Sequence, residues 1–140
     1  MRKDLTVNDL GDLLEQPVLA ILATNRKDGT TLLSPVWQEW VNDAFHIAIW
    51  ANDIKSKHIE RDPRVSVVVA EQGAPFRGIE VSGTAKVSLL SDPMPMIQRL
   101  AVRYRGEAGL AYAEVYRGLE IELVTVAPGK LRAWDFADET

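Results

Sequence analysis

Turn signals divide this chain into apolar runs of strand length, and that spacing limits the folds open to it. Asp28-Gly29, Asn42-Asp43 and Pro128-Gly129 each separate two stretches rich in Val, Ile, Leu and Trp, and such pairs close hairpins or tight turns. Residues 18–23 (VLAILA) are apolar on both sides, which predicts a buried strand. Residues 31–40 and 44–50 follow across two turns, so the first three strands form a meander. Pro35 interrupts ladder bonding in the second of them, so that point belongs on an edge or a bulge. In residues 79–87, Ile79, Val81, Gly83, Ala85 and Val87 alternate with Glu80, Ser82, Thr84, Lys86 and Ser88. That is the pattern of a half-buried antiparallel strand. Strands over 65–70, 119–127 and 130–135 complete a set of six or seven. The predicted fold is mainly β with a few short helices, an antiparallel barrel formed by one domain over residues 1–140.

Helical signals are fewer. Thr6 and Asp9 resemble a cap followed by an acidic third residue, with Leu10, Leu13 and Leu14 on one face. The Ser91-Asp92-Pro93 stretch opens a helix whose stripe is Met96, Ile97, Leu100 and Ala101, with Ser91 or Asp92 as its cap. Residues 106–117 are looser, part polar and part helical.

The stretch from 47 to 69, IAIWANDIKSKHIERDPRVSVVV, organises the rest. A strand ends at Trp50, Ala51-Asn52-Asp53 turns, and Lys55, Ser56 and Lys57 open a short helix before Asp62-Pro63. Two ammonium groups and a hydroxyl thus meet the unpaired N–H groups and partial positive charge of a helix start, a cradle suited to phosphate. The plainer alternative is a solvated basic turn between two core strands.

Other chemistry is scarce. Cysteine is absent, and His46 and His58 are the only histidines, so no thiolate metal site or disulfide is available and no metal site is expected. No P-loop, GxSxG or GxGxxG occurs, and no side chain is assigned a catalytic role. Strand alternation puts His46 opposite Phe45 and Ile47, at a surface or pocket rim. His58 lies beside the basic cradle, either as a donor to an anion when protonated or as a solvated helix residue. An enzyme that borrows a redox cofactor needs little of its own acid–base machinery. Trp37, Trp50, Trp40 and Trp134 are numerous for a chain with three Phe and three Tyr, and indoles can wall a flat ring. The net charge of −4 argues against nucleic acid and anionic membranes as partners. With no apolar leader or spanning run, the expectation is a soluble cytoplasmic protein.

The order LATNRKDGTTLLSPVWQEW, then IAIWANDIKSKHIERDPRVSVVVAEQG, then IEVSGTAKV resembles the pyridoxamine 5′-phosphate oxidase-like flavin-binding split-barrel superfamily. It is most similar to the small members that use the deazaflavin coenzyme F420. The match spans residues 18–87 and extends loosely beyond. Its specific pieces are Asp28-Gly29 before Ser34-Pro35-Val36-Trp37, Lys55-Ser56-Lys57 before Arg61-Asp62-Pro63-Arg64-Val65, and Gly83-Thr84-Ala85. The resemblance implies a six-stranded split barrel that pairs as a homodimer, with a cofactor in each groove between subunits. It implies that Lys55, Ser56 and Lys57 hold the cofactor phosphate. Ser34, Pro35, Val36 and Trp37 would lie along the ring, and Trp50, Ala51 and Asn52 near the phosphate-bearing tail. The loop at 72–78 and Trp134 are candidates for the partner's contribution.

The chain departs from the pattern in one respect. The basic residues that larger flavin-dependent oxidases spread along the substrate pocket are not matched, which argues against oxidation of pyridoxamine phosphate itself. The expected activity is hydride transfer between F420 and an unsaturated small molecule. The Lys-Ser-Lys cluster fits the phosphate of F420 or of FMN equally, and Arg26, Lys27, Arg61 and Arg64 suit the acidic tail of F420. An FMN-dependent oxidase or reductase, and a non-catalytic binder of flavin, deazaflavin or haem, remain as alternatives.

Overall fold

The computed structural model describes residues 1–139. Its strands are β1 (Ala20–Asn25), β2 (Thr31–Val36), β3 (Glu39–Val41), β4 (Ala44–Trp50), β5 (Arg64–Ala70), β6 (Gly78–Leu89), β7 (Ile121–Val126) and β8 (Lys130–Trp134). Helix α1 (Ile54–Arg61) joins β4 to β5, while α2 (Met94–Arg105) and α3 (Gly109–Ala113) lie between β6 and β7. All pairings are antiparallel, in the order β2-β1-β5-β6-β7-β4-β3, with β8 added beside β6. The fold is the expected antiparallel split barrel, mainly β.

One predicted strand is two. The run at 31–40 breaks between Val36 and Glu39, because β2 pairs with β1 while β3 pairs with β4 at the other end of the sheet. Trp37 and Gln38 carry the chain across. Tyr104 of α2 pins that crossing: its hydroxyl accepts from the Gln38 N–H (3.1 Å) and donates to the Val18 carbonyl (2.8 Å). Pro35 lies on β2, an edge strand, where its missing N–H leaves no ladder bond unmade.

The amino-terminal helix is also two pieces, 3-10 turns at Asn8–Leu10 and Leu13–Glu15. Gly11 between them has φ +61°, a left-handed conformation that ends a helix. Thr6 does not cap with its side chain; its N–H and hydroxyl both donate to Asp9. At α2 the cap position is Pro93 itself, without a side-chain hydrogen bond from Ser91 or Asp92.

The barrel is filled by Leu22, Phe45, Ile47, Val67, Val81 and Val124, and the two 3-10 turns bring Leu10 and Leu13 into the same cluster. Arg103 of α2 holds those turns by donating to the carbonyls of Leu14, Glu15 and Gln16. A second, smaller core joins Met94, Ile97 and Ala101 of α2 to Ala113 and Ile121, with Ala48 and Trp37 packed against it. It lies on the face of β4 that alternates with the barrel-filling Ile47 and Ile49. Gly83 marks the point where β6 changes partners, β8 before it and β7 after it. A Cβ there would stand 2.3 Å from the Ala127 carbonyl oxygen, so no larger residue fits this close approach. Among the described residues no helix is long and apolar enough to cross a membrane.

Candidate functional site

A pocket of about 240 Å³ opens where β2, β4 and the start of α1 meet the α2–α3 pair. Three elements position its walls. The end of β2 and the crossing supply Pro35, Val36 and Trp37, and the end of β4 supplies Ala48, Ile49 and Trp50. The helical side contributes Ile97, Leu100, Tyr112 and Tyr116.

Asp53 and Lys55 form the charged end. Asp53 is the extended residue before α1, and its carboxylate accepts from the Lys55 N–H at 2.9 Å, a side-chain cap of the helix start. The Lys55 ammonium lies 2.9 Å from the same oxygen, with both side chains less than one-fifth exposed. Burial pushes the Asp53 carboxyl up, but the N–H and ammonium of Lys55 outweigh it and hold the group below its usual value. The first turn of α1 carries no acidic residue, although a helix start favours negative charge and disfavours lysine. Two lysines in that turn leave the site short of anions, and Asp53 offsets only part of the excess.

The other walls are aromatic. Trp37 stacks on Tyr104 with centroids 5.1 Å apart and planes 7° apart, and meets Tyr112 at 5.7 Å. Trp50 is 52% exposed and stacks on Tyr116 at 6.1 Å. The Tyr112 and Tyr116 hydroxyls are 2.7 Å apart. Burial and then the bond to Tyr112 push the Tyr116 phenol up to about 12.

Of the residues singled out from sequence, Pro35, Val36, Trp37, Trp50 and Lys55 are thus gathered at one pocket. Ser34 is paired with Leu22 and turned to the barrel side of β2. Ala51 is fixed in the turn by its N–H bond to the Glu120 carbonyl. Asn52 has φ +64° and is exposed, Ser56 is half-buried, and Lys57 is exposed; none of these five lines the pocket. His58 is neither a solvated residue nor an anion donor. It is buried under α1 with Nδ1 2.9 Å from the Thr24 hydroxyl, and burial, reinforced by Arg61 and Arg26, lowers its pKa. His46 is half-buried on the face of β4 away from Phe45 and Ile47. Trp134 covers Gly78 across the β6–β8 ladder and takes the Arg132 guanidinium on its face, while Arg77 of the 72–78 loop is clamped by Glu71 and Asp12.

Sequence reasoning missed Asp53 and the pair of tyrosines. A signal for the tyrosines was present, since positions 112 and 116 are four apart and share one helical face.

A profile described as pyridoxamine 5′-phosphate oxidase matches residues 8–135, nearly the whole chain. The chain belongs to the pyridoxamine 5′-phosphate oxidase family. Solved structures share its fold. A conserved hypothetical protein from Mycobacterium tuberculosis superposes with a TM-score of 0.73 at 20% identity, over 95% of this chain and 86% of that one. An F420 reductase gives 0.68 at 24% identity, over 86% and 93%. An FAD-binding protein from Mesorhizobium loti gives 0.63 at 18% identity, over 95% and 97%. No curated protein matches the chain by sequence. Within the family, identities this low speak for the architecture alone.

Proposed function

We propose that the pocket between β2, β4 and α1 binds a flavin-type cofactor, coenzyme F420 in the first instance, and that the chain uses it to reduce or oxidise an unsaturated small molecule. One observation carries this reading: Lys55 and the 35–37 stretch line the same pocket. A ligand with an anionic end and a flat ring suits walls that are charged at Asp53–Lys55 and aromatic elsewhere. Lys55, at a helix start with two lysines and no acid in its first turn, is the group to hold a phosphate. Ser56 and Lys57 would join it only from the outer side of α1. Trp37 and Trp50 would flank the ring and keep water from it, with Ser34, Ala51 and Asn52 supporting from the strands and turn behind. The bound cofactor supplies the hydride chemistry; the chain binds, orients and shields. No side chain is required as a dedicated acid.

A second feature favours F420 over FMN. Arg26, Lys27, Arg61 and Arg64 border one depression of about 460 Å³ between the β1–β2 hairpin and the end of α1. It lies at the opposite end of the helix from Lys55, about 9 Å along the axis. Asp62 borders the depression with them and is held well below the usual carboxylate range by hydrogen bonds from Arg64, and Asp28 of the hairpin faces Arg26, so the cations outnumber the acids there. An acidic tail running from a phosphate at Lys55 would find its counter-charges here.

The functional unit we propose is a homodimer. Leu33 is 65% exposed on edge strand β2, and Pro35, Ile21 and Val68 share its outward face through the β2–β1–β5 register. Such an open apolar face suits a second copy.

Titration of the purified protein with F420 and with FMN tests the reading. F420 should bind below roughly 100 μM and more tightly than FMN. Binding of FMN alone would favour the flavin mononucleotide alternative, and tight binding without turnover across a panel of acceptors would favour a carrier. If neither binds, the function is not of this kind.

A further inference from the structure

The Tyr112–Tyr116 pair has no role in holding a phosphate, yet it occupies the helical wall of the pocket. Two phenols carry two protons. A hydroxyl–hydroxyl bond of 2.7 Å uses one of them, and neither hydroxyl has another partner among the described residues. One O–H is therefore left over with no acceptor paired to it among the described residues. The donor is also well prepared. The Tyr112 ring is fixed between the Arg105 guanidinium on its face at 4.1 Å and the Tyr116 ring at 5.5 Å, so the hydroxyl keeps its position without a ligand. In a chain of two hydroxyls the first polarises the second and strengthens the bond it gives.

We propose that this pair is the specificity-determining element of the substrate side: it donates one hydrogen bond to the carbonyl oxygen of a flat, uncharged ring compound. Uncharged compounds are favoured because the wall is apolar and its donor neutral. The phenol of Tyr116 stays protonated throughout the physiological range. The Arg105 cation lies on the face of the Tyr112 ring without lining the pocket, so an anion there would lose its hydration with no lining cation beside the hydroxyls to replace it. The cationic end of the pocket, at Lys55, belongs to the other ligand. This inference rests on the proposed function for the idea of a substrate beside a cofactor, but the hydroxyl pair is testable alone.

The probes are 1-tetralone, tetralin, which lacks the oxygen, and 1-naphthoate, which is charged. Each is titrated by tryptophan fluorescence into the wild-type chain, Tyr112→Phe, Tyr116→Phe and the double variant. The wild type should bind tetralone about five- to ten-fold more tightly than tetralin, the worth of one ordinary hydrogen bond, and naphthoate more weakly than tetralone. The double variant should lose the preference while its tetralin affinity stays the same, which also shows that the wall has kept its shape. A tetralone preference that survives in the double variant, or is missing from the wild type, overturns the proposal, as does tighter binding of naphthoate. Titration of the same variants with F420 separates the two readings. Absence of F420 binding from the wild type would sink the proposed function without touching the tetralone result.

Discussion

The Lys55 ammonium and the Lys55 backbone N–H both meet one oxygen, Oδ1, of the Asp53 carboxylate that caps the helix. The cation best placed to hold a phosphate is thus already engaged by an anion of this chain. An incoming phosphate must share Lys55 with a carboxylate of like charge. Asp53→Asn keeps a good cap residue and removes the competing charge. It should tighten FMN and F420 binding several-fold, corresponding to about 1 kcal/mol for a partly exposed pair, as measured by equilibrium titration. Weaker binding would mean instead that the carboxylate is needed to hold the ammonium in place.

His58 sets a pH dependence. Its folded pKa lies below the ordinary 6.5 because burial, with Arg61 and Arg26, disfavours the charged ring. The unfolded chain therefore takes up the proton first as pH falls. The contribution is complete above about pH 6.5, declines below it, and is gone once pH has passed the folded value. Thermal melts should show stability falling from pH 7 to pH 5, and His58→Gln should flatten that slope whatever it does to the absolute melting temperature. An equal slope in the variant would assign the effect to other groups.

Gly83→Ala places a methyl 2.3 Å from the Ala127 carbonyl oxygen. Because the obstacle is backbone, the turn between β7 and β8 must shift, at a cost of about 2 kcal/mol. Calorimetry should find the melting temperature lowered by roughly 5–10 °C. An unchanged value would mean that this turn moves freely.

Leu33→Asp puts a charge on the open face of β2, where no described element covers the side chain. Sedimentation should find the wild type dimeric and the variant monomeric with an unchanged far-UV spectrum. A wild type that sediments as a monomer at micromolar concentration would remove the interface from the account.

The strands were legible because their burial is periodic: Ile79 and Val81 point inward and Glu80 and Ser82 outward, as their order requires. The crossing at Trp37-Gln38 was not, since no turn dipeptide marks it and only pairing with β1 and then β4 separates its ends. The amino-terminal turns were misread as one helix because leucine spacing is insensitive to the left-handed conformation of Gly11. In the site, Lys55 was visible in the basic run that opens α1, while the contributions of β2 and β4 came from the family resemblance. Those of Tyr112 and Tyr116 were marked by nothing beyond their spacing of four, because residues 106–117 are broken into 3-10 and α pieces with no clean period. His58 shows the limit most clearly. Lys57, Glu60 and Arg61 beside it in sequence are charged, but Thr24, its partner in space, is 34 residues away.

The central claim is that Lys55 holds the anionic end of a flavin-type cofactor, and a side-by-side titration of wild type and Lys55→Ala with F420 addresses it most directly. The account predicts binding by the wild type, a loss of about ten-fold or more in the variant as one charge-assisted contact is removed, a much smaller loss in Lys57→Ala, and an apo-protein melting temperature that barely moves. Equal affinity in the wild type and Lys55→Ala would contradict it.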